Sequence, residues 1–227
     1  SWGNVKSFVL QLGNEISKII NNGDRCLLVS ENRPEWMISD LSIMLAGGIT
    51  VPAYTTYVSR DYEYIINDCS PSIIIVSNDE QFNKIKNICE RTSSIKKIIS
   101  FEKLSGIEEN AYINLETLFE NKNEKLKFET KAKRSDPACI IYTSGTQGNP
   151  KGVILSHGGI LSNCEGGYEL LKPILENETR FLTWLPLSHS YEHAVQFIQI
   201  AVGAKVFYAE SIDKLIKNMG ECSPHIM

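Results

Sequence analysis

The sequence predicts an α/β fold in which a largely parallel sheet is covered by helices on both faces. Its 227 residues are 42% hydrophobic and 22% charged, which is ordinary for a globular α/β protein. Short apolar runs, such as residues 26–29 and 73–76, alternate with longer stretches whose apolar residues recur at helical spacing. Strands that are joined through helices pair in parallel, and the crossover helices cover the sheet.

The first half of the chain contains clear helix and strand signals. Residues 5–20 carry apolar side chains at helical spacing, and the turn residues 22–24 end this helix. Asn32 is predicted to be the N-cap of a second helix, which has Pro34 at its first position and ends before Gly47. Further strands are predicted at residues 26–29, 49–53, 73–76 and 98–99, and further helices at residues 61–68 and 80–91.

The second half begins with a polar stretch and then returns to the same alternation. We expect residues 101–136 to form a surface excursion that holds one short helix, at residues 115–119. Ser211 is expected to cap a last helix that runs through Met219 and is followed by Gly220. Between the surface excursion and this last helix, helices are predicted at residues 157–171 and 192–202, and strands at residues 180–185 and 205–208.

Charge and cysteine usage narrow the classes of function. The formal net charge of -4 at pH 7 argues against nucleic acid as the main partner. The six cysteines include no C-x-x-C pair, so we expect reduced core residues of an intracellular protein. No apolar stretch approaches the ~20 residues of a membrane span, and no signal-peptide pattern opens the chain. We expect a cytoplasmic location, with peripheral membrane contact and oligomeric state left open.

Residues 142–153, Tyr-Thr-Ser-Gly-Thr-Gln-Gly-Asn-Pro-Lys-Gly-Val, carry the most information about function. Glycines let successive backbone N–H groups face an anion, hydroxyl groups donate further hydrogen bonds, and Lys151 adds a positive charge. The string is close to a P-loop, but Pro150 replaces the second glycine and Gly152 replaces the magnesium-binding hydroxyl. Since a second strand, not a helix, is predicted at residues 152–156, the loop is expected to close a hairpin. The alternative is a hairpin turn with an incidental lysine.

This string resembles the phosphate-binding signature of the acyl-adenylate-forming (AMP-binding) enzymes, which include acyl-CoA synthetases, insect luciferases and the adenylation domains of peptide synthetases. Their pattern, Tyr-Thr-Ser-Gly-Thr-Thr-Gly-x-Pro-Lys-Gly-Val, departs from this sequence at Gln147, whose amide can still donate to a phosphate. The resemblance implies that the loop holds the β- and γ-phosphates of ATP, with Mg²⁺ bridging phosphate oxygens and touching the Thr143 hydroxyl. The implied phosphate-binding residues are Thr143, Ser144, Gly145, Thr146, Gln147, Gly148, Asn149, Pro150 and Lys151.

Residues 182–193, Leu-Thr-Trp-Leu-Pro-Leu-Ser-His-Ser-Tyr-Glu-His, narrow the resemblance to the long-chain fatty acyl-CoA synthetases. In that subgroup, a Leu-Pro-Leu-x-His segment ends a strand and opens the helix that walls the acyl pocket. His193 stands where the eukaryotic members usually carry arginine. Residues 30–36 and 47–54 are also similar to the subgroup, and the likeness runs in register from about residue 1 to residue 227.

The same resemblance places His189 and His193 in the pocket for the acyl substrate. His189 is expected to lie beside the acyl carboxylate and to donate a hydrogen bond, positioning the substrate without acting as a general base. The alternative is a structural histidine that caps the helix or packs in the pocket wall. His193, one turn further on, would share the same helix face. Glu192 is expected to be a structural partner and not a catalyst.

The resemblance implies an AMP-forming acid–thiol ligase that activates a long-chain fatty acid to acyl-AMP and then to acyl-CoA, using ATP, Mg²⁺ and CoA. Because full ligases of this family are more than twice as long, residues 1–227 are expected to form a partial AMP-binding N-terminal domain, with the C-terminal domain absent. The chain then contains no complete catalytic set and is expected to be inactive alone. The two motifs both follow predicted strands, so we expect their loops to face one crevice.

Two alternatives remain open. An acyl-AMP ligase that feeds a carrier protein, or an aryl-acid ligase, would keep the adenylation step but change the acceptor or the acid. A non-catalytic nucleotide- or acyl-binding module would use this chain alone. The sequence does not define the acyl chain length or the acceptor thiol.

Overall fold

The main sheet of the computed structural model has seven strands, and the model describes residues 1–108, 111–120, 130, 132–143, 150–176 and 178–227. In chain order its strands are β1 (Arg25–Val29), β2 (Ile49–Ala53), β3 (Ile73–Val76), β4 (Lys97–Ser100), β5 (Tyr112–Asn114), β6 (Pro137–Thr143) and β7 (Lys151–Ser156). Their order across the sheet is β5-β4-β3-β1-β2-β6-β7. All neighbouring pairs are parallel except β6–β7, so the prediction of a largely parallel sheet is confirmed.

Helices cover both faces of this sheet, as predicted. The helices are α1 (Trp2–Ser17), α2 (Pro34–Leu45), α3 (Ser59–Cys69), α4 (Asp79–Arg91), α5 (Leu115–Glu120), α6 (His157–Leu171), α7 (Ser190–Ala201) and α8 (Leu215–Cys222). Leu27 and Val29 of β1 lie in one core cluster with side chains of α3 and α4. Cys26 and Leu28 of the same strand lie in another cluster, with side chains of α1 and α2. The alternation of side chains along each buried strand therefore builds two cores, one on each face.

A second, smaller sheet carries the segment that precedes α7. It consists of β8 (Arg180–Thr183) and β9 (Lys205–Tyr208), which pair in parallel and are connected through α7. A bridge between Phe181 and Ile226 extends it on its other side. The predicted strand at residues 180–185 is therefore confirmed in position but ends earlier, at Thr183.

The interpretation of residues 101–136 as a surface excursion is wrong in part. The short helix is present as α5, but β5 adds a further parallel strand next to β4, and Phe101, Leu104 and Tyr112 are buried. The Tyr112 hydroxyl accepts a hydrogen bond from the Leu104 backbone N–H, at 3.0 Å. Three residues of strand within a polar stretch are too few for a periodic pattern to be visible in the sequence.

The last helix lies further along the chain than predicted. Ser211 does not cap it: its hydroxyl accepts from the Lys214 backbone N–H in the preceding turn, and α8 begins at Leu215. Gly220 lies inside α8, and the left-handed residue that ends the helix is Ser223, with φ 43°. In the part of the chain that the structure describes, no helix is long and apolar enough to cross a membrane.

Candidate functional site

The phosphate-loop motif forms the predicted hairpin at the carboxyl end of β6. β6 is parallel to β2 and antiparallel to β7, and Thr143 pairs with Lys151 at the mouth of the hairpin. Residues directly opposite on antiparallel strands point to the same face, so the hydroxyl and the ammonium group are neighbours. Both side chains are exposed. The predicted phosphate-binding residues Ser144, Gly145, Thr146, Gln147, Gly148 and Asn149 lie outside the described residues.

Two further residues of the motif have structural roles that the sequence analysis did not assign. The Tyr142 hydroxyl donates a 2.5 Å hydrogen bond to Asp68 Oδ2 of α3, which ties the hairpin to the body of the sheet. Burial, with this hydrogen bond as a second cause, raises the pKa of Tyr142, so the phenol stays protonated as a donor. Opposite it on β7, a Cβ on Gly152 would lie 2.7 Å from Ile140 Cγ2 and 3.3 Å from the Tyr142 ring. Glycine is therefore required there for close packing.

The second motif is held at the same edge of the sheet by Asn32. The Asn32 amide donates to the Leu185 carbonyl at 2.6 Å, and its carbonyl oxygen accepts from the Leu187 N–H at 2.9 Å. Asn32 lies just beyond the carboxyl end of β1, which is separated from β6 by β2 alone. The predicted N-cap role of Asn32 is wrong, because Arg33 occupies that position of α2 and makes no side-chain cap. The side chain of Asn32 instead fixes the Leu-Pro-Leu segment.

His189 is the N-cap of α7, and its ring is exposed. Its Nδ1 accepts a hydrogen bond from the Tyr191 backbone N–H at 3.2 Å. A ring nitrogen that accepts must be unprotonated, so the proton of the neutral ring is on Nε2, which remains free to donate. The structural alternative is thus correct in that His189 caps the helix, and the capping leaves Nε2–H available as a donor.

His193 lies in a different environment from His189, although only one helical turn separates them. Its Nε2 lies 2.8 Å from Asp40 Oδ2, and its Nδ1 lies 3.9 Å from Cys139 Sγ. The Trp36 ring meets the imidazole edge-on, with centroids 5.4 Å apart. His193 forms part of the wall behind the cavity between α6 and α7, but both of its ring nitrogens face protein groups. Contact between His193 and an acyl substrate stays a prediction.

An apolar cavity of about 940 Å³ lies between α6 and α7, and residues of the second motif line part of it. Trp184, Leu185 and Ser190 line it near the motif, and Leu171 and Ile198 line it further along the helices. The two helices approach closely where α6 carries Gly167. A Cβ at that position would lie 2.2 Å from Ile198 Cδ1. The volume is within the range of small-molecule pockets, and the lining suits an apolar ligand.

Glu192 is a buried acid beside this cavity. Only 4% of the residue is exposed, and burial raises the pKa of its carboxyl to about 7, against the effect of a hydrogen bond with Thr183. Gln199 donates to the same threonine hydroxyl at 2.8 Å. Glu192 therefore belongs to a buried polar network between α7 and β8, which agrees with the structural role expected for it.

Among the residues that the structure describes, no group of three or more His, Cys, Asp or Glu side chains could hold a metal ion. Mg²⁺ in sites that handle nucleotides keeps several waters and is bound through substrate phosphates with few protein groups. The exposed Thr143 hydroxyl beside Lys151 fits such a site as a single neutral ligand. Magnesium at Thr143 stays a prediction.

Comparisons with known proteins agree with this geometry. The family model for AMP-binding enzymes matches residues 1–227, so the chain belongs to the AMP-binding enzyme family. It is 30% identical over 230 residues to "Fatty acyl-CoA synthetase A" of Dictyostelium discoideum, covering 97% of this chain and 33% of that protein. It is also 30% identical over 241 residues to "Long chain acyl-CoA synthetase 4" of Arabidopsis thaliana, covering 100% of this chain and 36% of that protein. The chain thus spans about a third of these relatives.

Solved structures share the fold. The N-terminal domain of FACL13 from Mycobacterium tuberculosis, solved with an inhibitor, has a TM-score of 0.81 at 17% identity, covering 97% of this chain and 53% of that one. ATP-bound MatB from Rhodopseudomonas palustris has a TM-score of 0.78 at 22% identity, covering 96% of this chain and 42% of that one. The predicted resemblance to acyl-adenylate-forming enzymes, and to long-chain acyl-CoA synthetases among them, is confirmed.

Proposed function

We propose that this chain is part of the N-terminal domain of an ATP-dependent ligase that converts a long-chain fatty acid to acyl-AMP and then to acyl-CoA. One observation carries the proposal: Asn32 holds the Leu185–Leu187 segment at the sheet edge where the hairpin mouth presents Thr143 and Lys151. A hydroxyl and a lysine that would suit an anion, and residues Trp184 and Leu185 that line the apolar cavity, thus follow strands at one carboxyl edge, where ligands of open α/β sheets collect. The family and the long-chain relatives support the same reading.

The phosphate end of the reaction is assigned to the hairpin. A carboxylate oxygen attacks the α-phosphorus of ATP, the bond from that phosphorus to the oxygen bridging to the β-phosphate breaks, and pyrophosphate leaves with the electron pair. Lys151 would hold the β- and γ-phosphates and offset the charge that develops on the leaving group. Thr143, opposite it, would donate or accept at the same phosphates. Mg²⁺, when bound there, would neutralise further phosphate charge.

The carboxylate end is assigned to the start of α7. Since Nδ1 of His189 accepts from the Tyr191 N–H, Nε2–H is available to donate to one carboxylate oxygen. That hydrogen bond would orient the other oxygen for attack without moving a proton, because the attacking carboxylate is already ionised. The N-terminus of α7 adds a favourable partial positive charge at the same place.

The acyl chain is assigned to the cavity between α6 and α7. Its volume of about 940 Å³ and its apolar walls support a long-chain acid over a compact aryl acid. Burial of the chain contributes roughly 0.8 kcal/mol per methylene, so binding should strengthen with chain length until the cavity is full. Transfer of the acyl group to the CoA thiol, with loss of AMP, is assigned to further segments of a longer polypeptide.

The experiment is a product assay on the natural full-length polypeptide with ATP, Mg²⁺, CoA and, in separate reactions, palmitate, octanoate or benzoate. We expect palmitoyl-CoA and AMP in equal amounts, with palmitate preferred, and no product from the isolated 227 residues. Acyl-AMP that accumulates without reaching CoA would identify an acyl-AMP ligase instead. Turnover of benzoate alone would identify an aryl-acid ligase, and nucleotide binding without turnover of any acid would contradict an enzymatic role.

A further inference from the structure

A second cavity lies on the other side of the wall that bounds the α6–α7 cavity. It has a volume of about 690 Å³ and lies between α1, α2, α6 and α7. Its walls are apolar, with Val5, Val9, Leu41 and Ile200 among them. Ile160 and Phe197 line both cavities, so they form the partition between them. No described residue of either motif of the candidate functional site lines this second cavity.

Three cationic side chains line the same cavity. Lys6 of α1 and the consecutive residues Lys133 and Arg134 are all exposed there. None of the three has an ion pair with a described acidic residue, and no aspartate or glutamate is among the described residues that line the cavity. Asp136, the nearest acid along the chain, accepts the backbone N–H of Lys133. Cations that have no described acidic partner, beside an apolar cavity, are complementary to a ligand with an anionic head and an apolar body.

Hydrogen bonds fix two sides of this cavity. Trp2 Nε1 donates to the Ala204 carbonyl at 3.1 Å, which joins the start of α1 to the turn after α7. The Arg134 carbonyl accepts from the Gly158 N–H at 2.7 Å, so the cationic segment is anchored to the first turn of α6. A Cβ at Gly158 would lie 2.8 Å from that carbonyl oxygen, and glycine is therefore needed for this approach. Both sides are thus in place before a ligand arrives.

His157 contributes no positive charge to this site near neutral pH. It lines the cavity and is partly buried, and burial lowers the pKa of its imidazole although Asp136 and Asp40 act in the opposite direction. Among the described residues that line the cavity, the positive charge therefore comes from Lys6, Lys133 and Arg134.

We propose that this cavity binds the anion of a single-chain amphiphile, such as a free long-chain carboxylate, as a second site beyond the partition formed by Ile160 and Phe197. The head group would lie at Lys6, Lys133 and Arg134, and the chain would lie between α1 and α2 on one side and α6 and α7 on the other. An open recess of about 690 Å³ between four helices is large enough for one such molecule, whereas a bilayer surface would need a convex apolar face. A nucleotide would find too few polar groups along these walls.

Equilibrium binding of radiolabelled palmitate to the natural full-length polypeptide tests the proposal, in the absence of ATP and below the concentration at which palmitate aggregates. We expect two equivalents per chain. The double variant Lys133→Ala/Arg134→Ala should lose one of them through an affinity decrease of about tenfold or more, the effect of removing charge-assisted contacts. Val9→Trp, which fills the apolar part, should lose the same equivalent. The control Lys214→Ala/Lys217→Ala removes two exposed charges around α8 and should bind like the wild type.

The binding experiment tests the second site independently of the proposed function. Palmitate-dependent formation of AMP should be unchanged in Lys133→Ala/Arg134→Ala, because these residues lie outside the assigned reaction site. If palmitate is not the acid substrate, the wild type should still bind one equivalent, and the double variant should bind none. A double variant that binds palmitate like the wild type overturns the proposal. The proposal is also overturned if the double variant no longer sediments with phosphatidylglycerol vesicles but still binds monomeric palmitate like the wild type. The cations would then bind a membrane surface.

Discussion

His193 and Asp40 form a polar contact inside an otherwise apolar part of the core, where 2% and 0% of the two residues are exposed. Gln196 donates to the same Asp40 oxygen at 3.1 Å, so two side chains of α7 are attached to one side chain of α2. α7 begins at the His189 cap, so its N-terminus is the end that would meet the acyl carboxylate. The contact with Asp40 therefore determines where this N-terminus lies. His193 is therefore a positioning residue in this account.

Removing Asp40 should destabilise the fold. Asp40→Ala leaves the His193 Nε2 and the Gln196 amide buried without their acceptor, and a buried donor left unsatisfied typically costs about 1–3 kcal/mol. Urea unfolding followed by circular dichroism measures the loss. Asp213→Ala, which removes an exposed aspartate, should change the free energy of unfolding by less than about 0.5 kcal/mol. Equal effects of the two substitutions would show that the buried contact contributes little.

Two consecutive glycines of α6 should respond differently to the same substitution. Leucine at 167 would collide with Ile198 and shorten the α6–α7 cavity, whereas a Cβ at Gly166 has no neighbour within 4 Å. Gly167→Leu should raise the KM for palmitate at least tenfold, corresponding to about 1.4 kcal/mol, and leave the KM for octanoate nearly unchanged. Gly166→Leu is the matched control. Unchanged palmitate kinetics in Gly167→Leu would mean that the acyl chain lies elsewhere.

The two roles assigned to His189 can be separated by the choice of substitution. Asparagine is among the best N-cap residues, but it is too short to replace Nε2 of the imidazole. His189→Asn should keep the thermal stability of the protein, while His189→Ala should lose about 1 kcal/mol. Both variants should raise the KM for the fatty acid about tenfold with little change in the KM for ATP. If asparagine restores the acid kinetics, the histidine acts only as a cap.

Glu192 should make stability depend on pH. Its pKa is raised from 4.5 to about 7 in the folded state, so the folded protein retains a proton that the unfolded chain loses in that interval. The free energy of unfolding should therefore fall as the pH rises from about 4.5 to about 7, and it should stay lower by this amount above pH 7. Glu192→Gln should remove this part of the pH dependence and stabilise the protein at pH 8 by about 1–3 kcal/mol. If the free energy of unfolding changes with pH in the same way in Glu192→Gln and in the wild type, the raised pKa assigned to Glu192 is contradicted.

The features that the sequence predicted correctly are those with local signals. The hairpin follows from the strand pattern of residues 152–156 directly after the lysine, and β1, β3 and α6 follow from apolar periodicity. The predicted N-cap role of Asn32 is wrong because the partners of its side chain are distant in the chain. The pattern around Pro34 favours a cap, but the amide binds Leu185 and Leu187, which are more than 150 positions away in the chain.

Long-range partners also explain what the sequence analysis missed at the site. Asp40 gave no signal, because its partner His193 is separated from it by 153 positions. The family resemblance and helical spacing place His189 and His193 on one helix face, whereas their different exposure is decided by the packing of α7 against α2 and β6. Gly166 and Gly167 cannot be distinguished in the sequence, because only the structure shows that Ile198 lies beside Gly167.

The most direct test of the central claim is fatty-acid-dependent exchange of labelled pyrophosphate into ATP by the natural full-length polypeptide, measured for the wild type and for Lys151→Ala. We expect exchange that requires palmitate and that falls about ten- to a hundredfold at limiting ATP in Lys151→Ala, since a charge-assisted phosphate contact is worth about 1.5–3 kcal/mol. Lys217→Ala, an exposed lysine of α8, should exchange at the wild-type rate. Exchange that is independent of palmitate, or equal in Lys151→Ala and the wild type, would contradict the account.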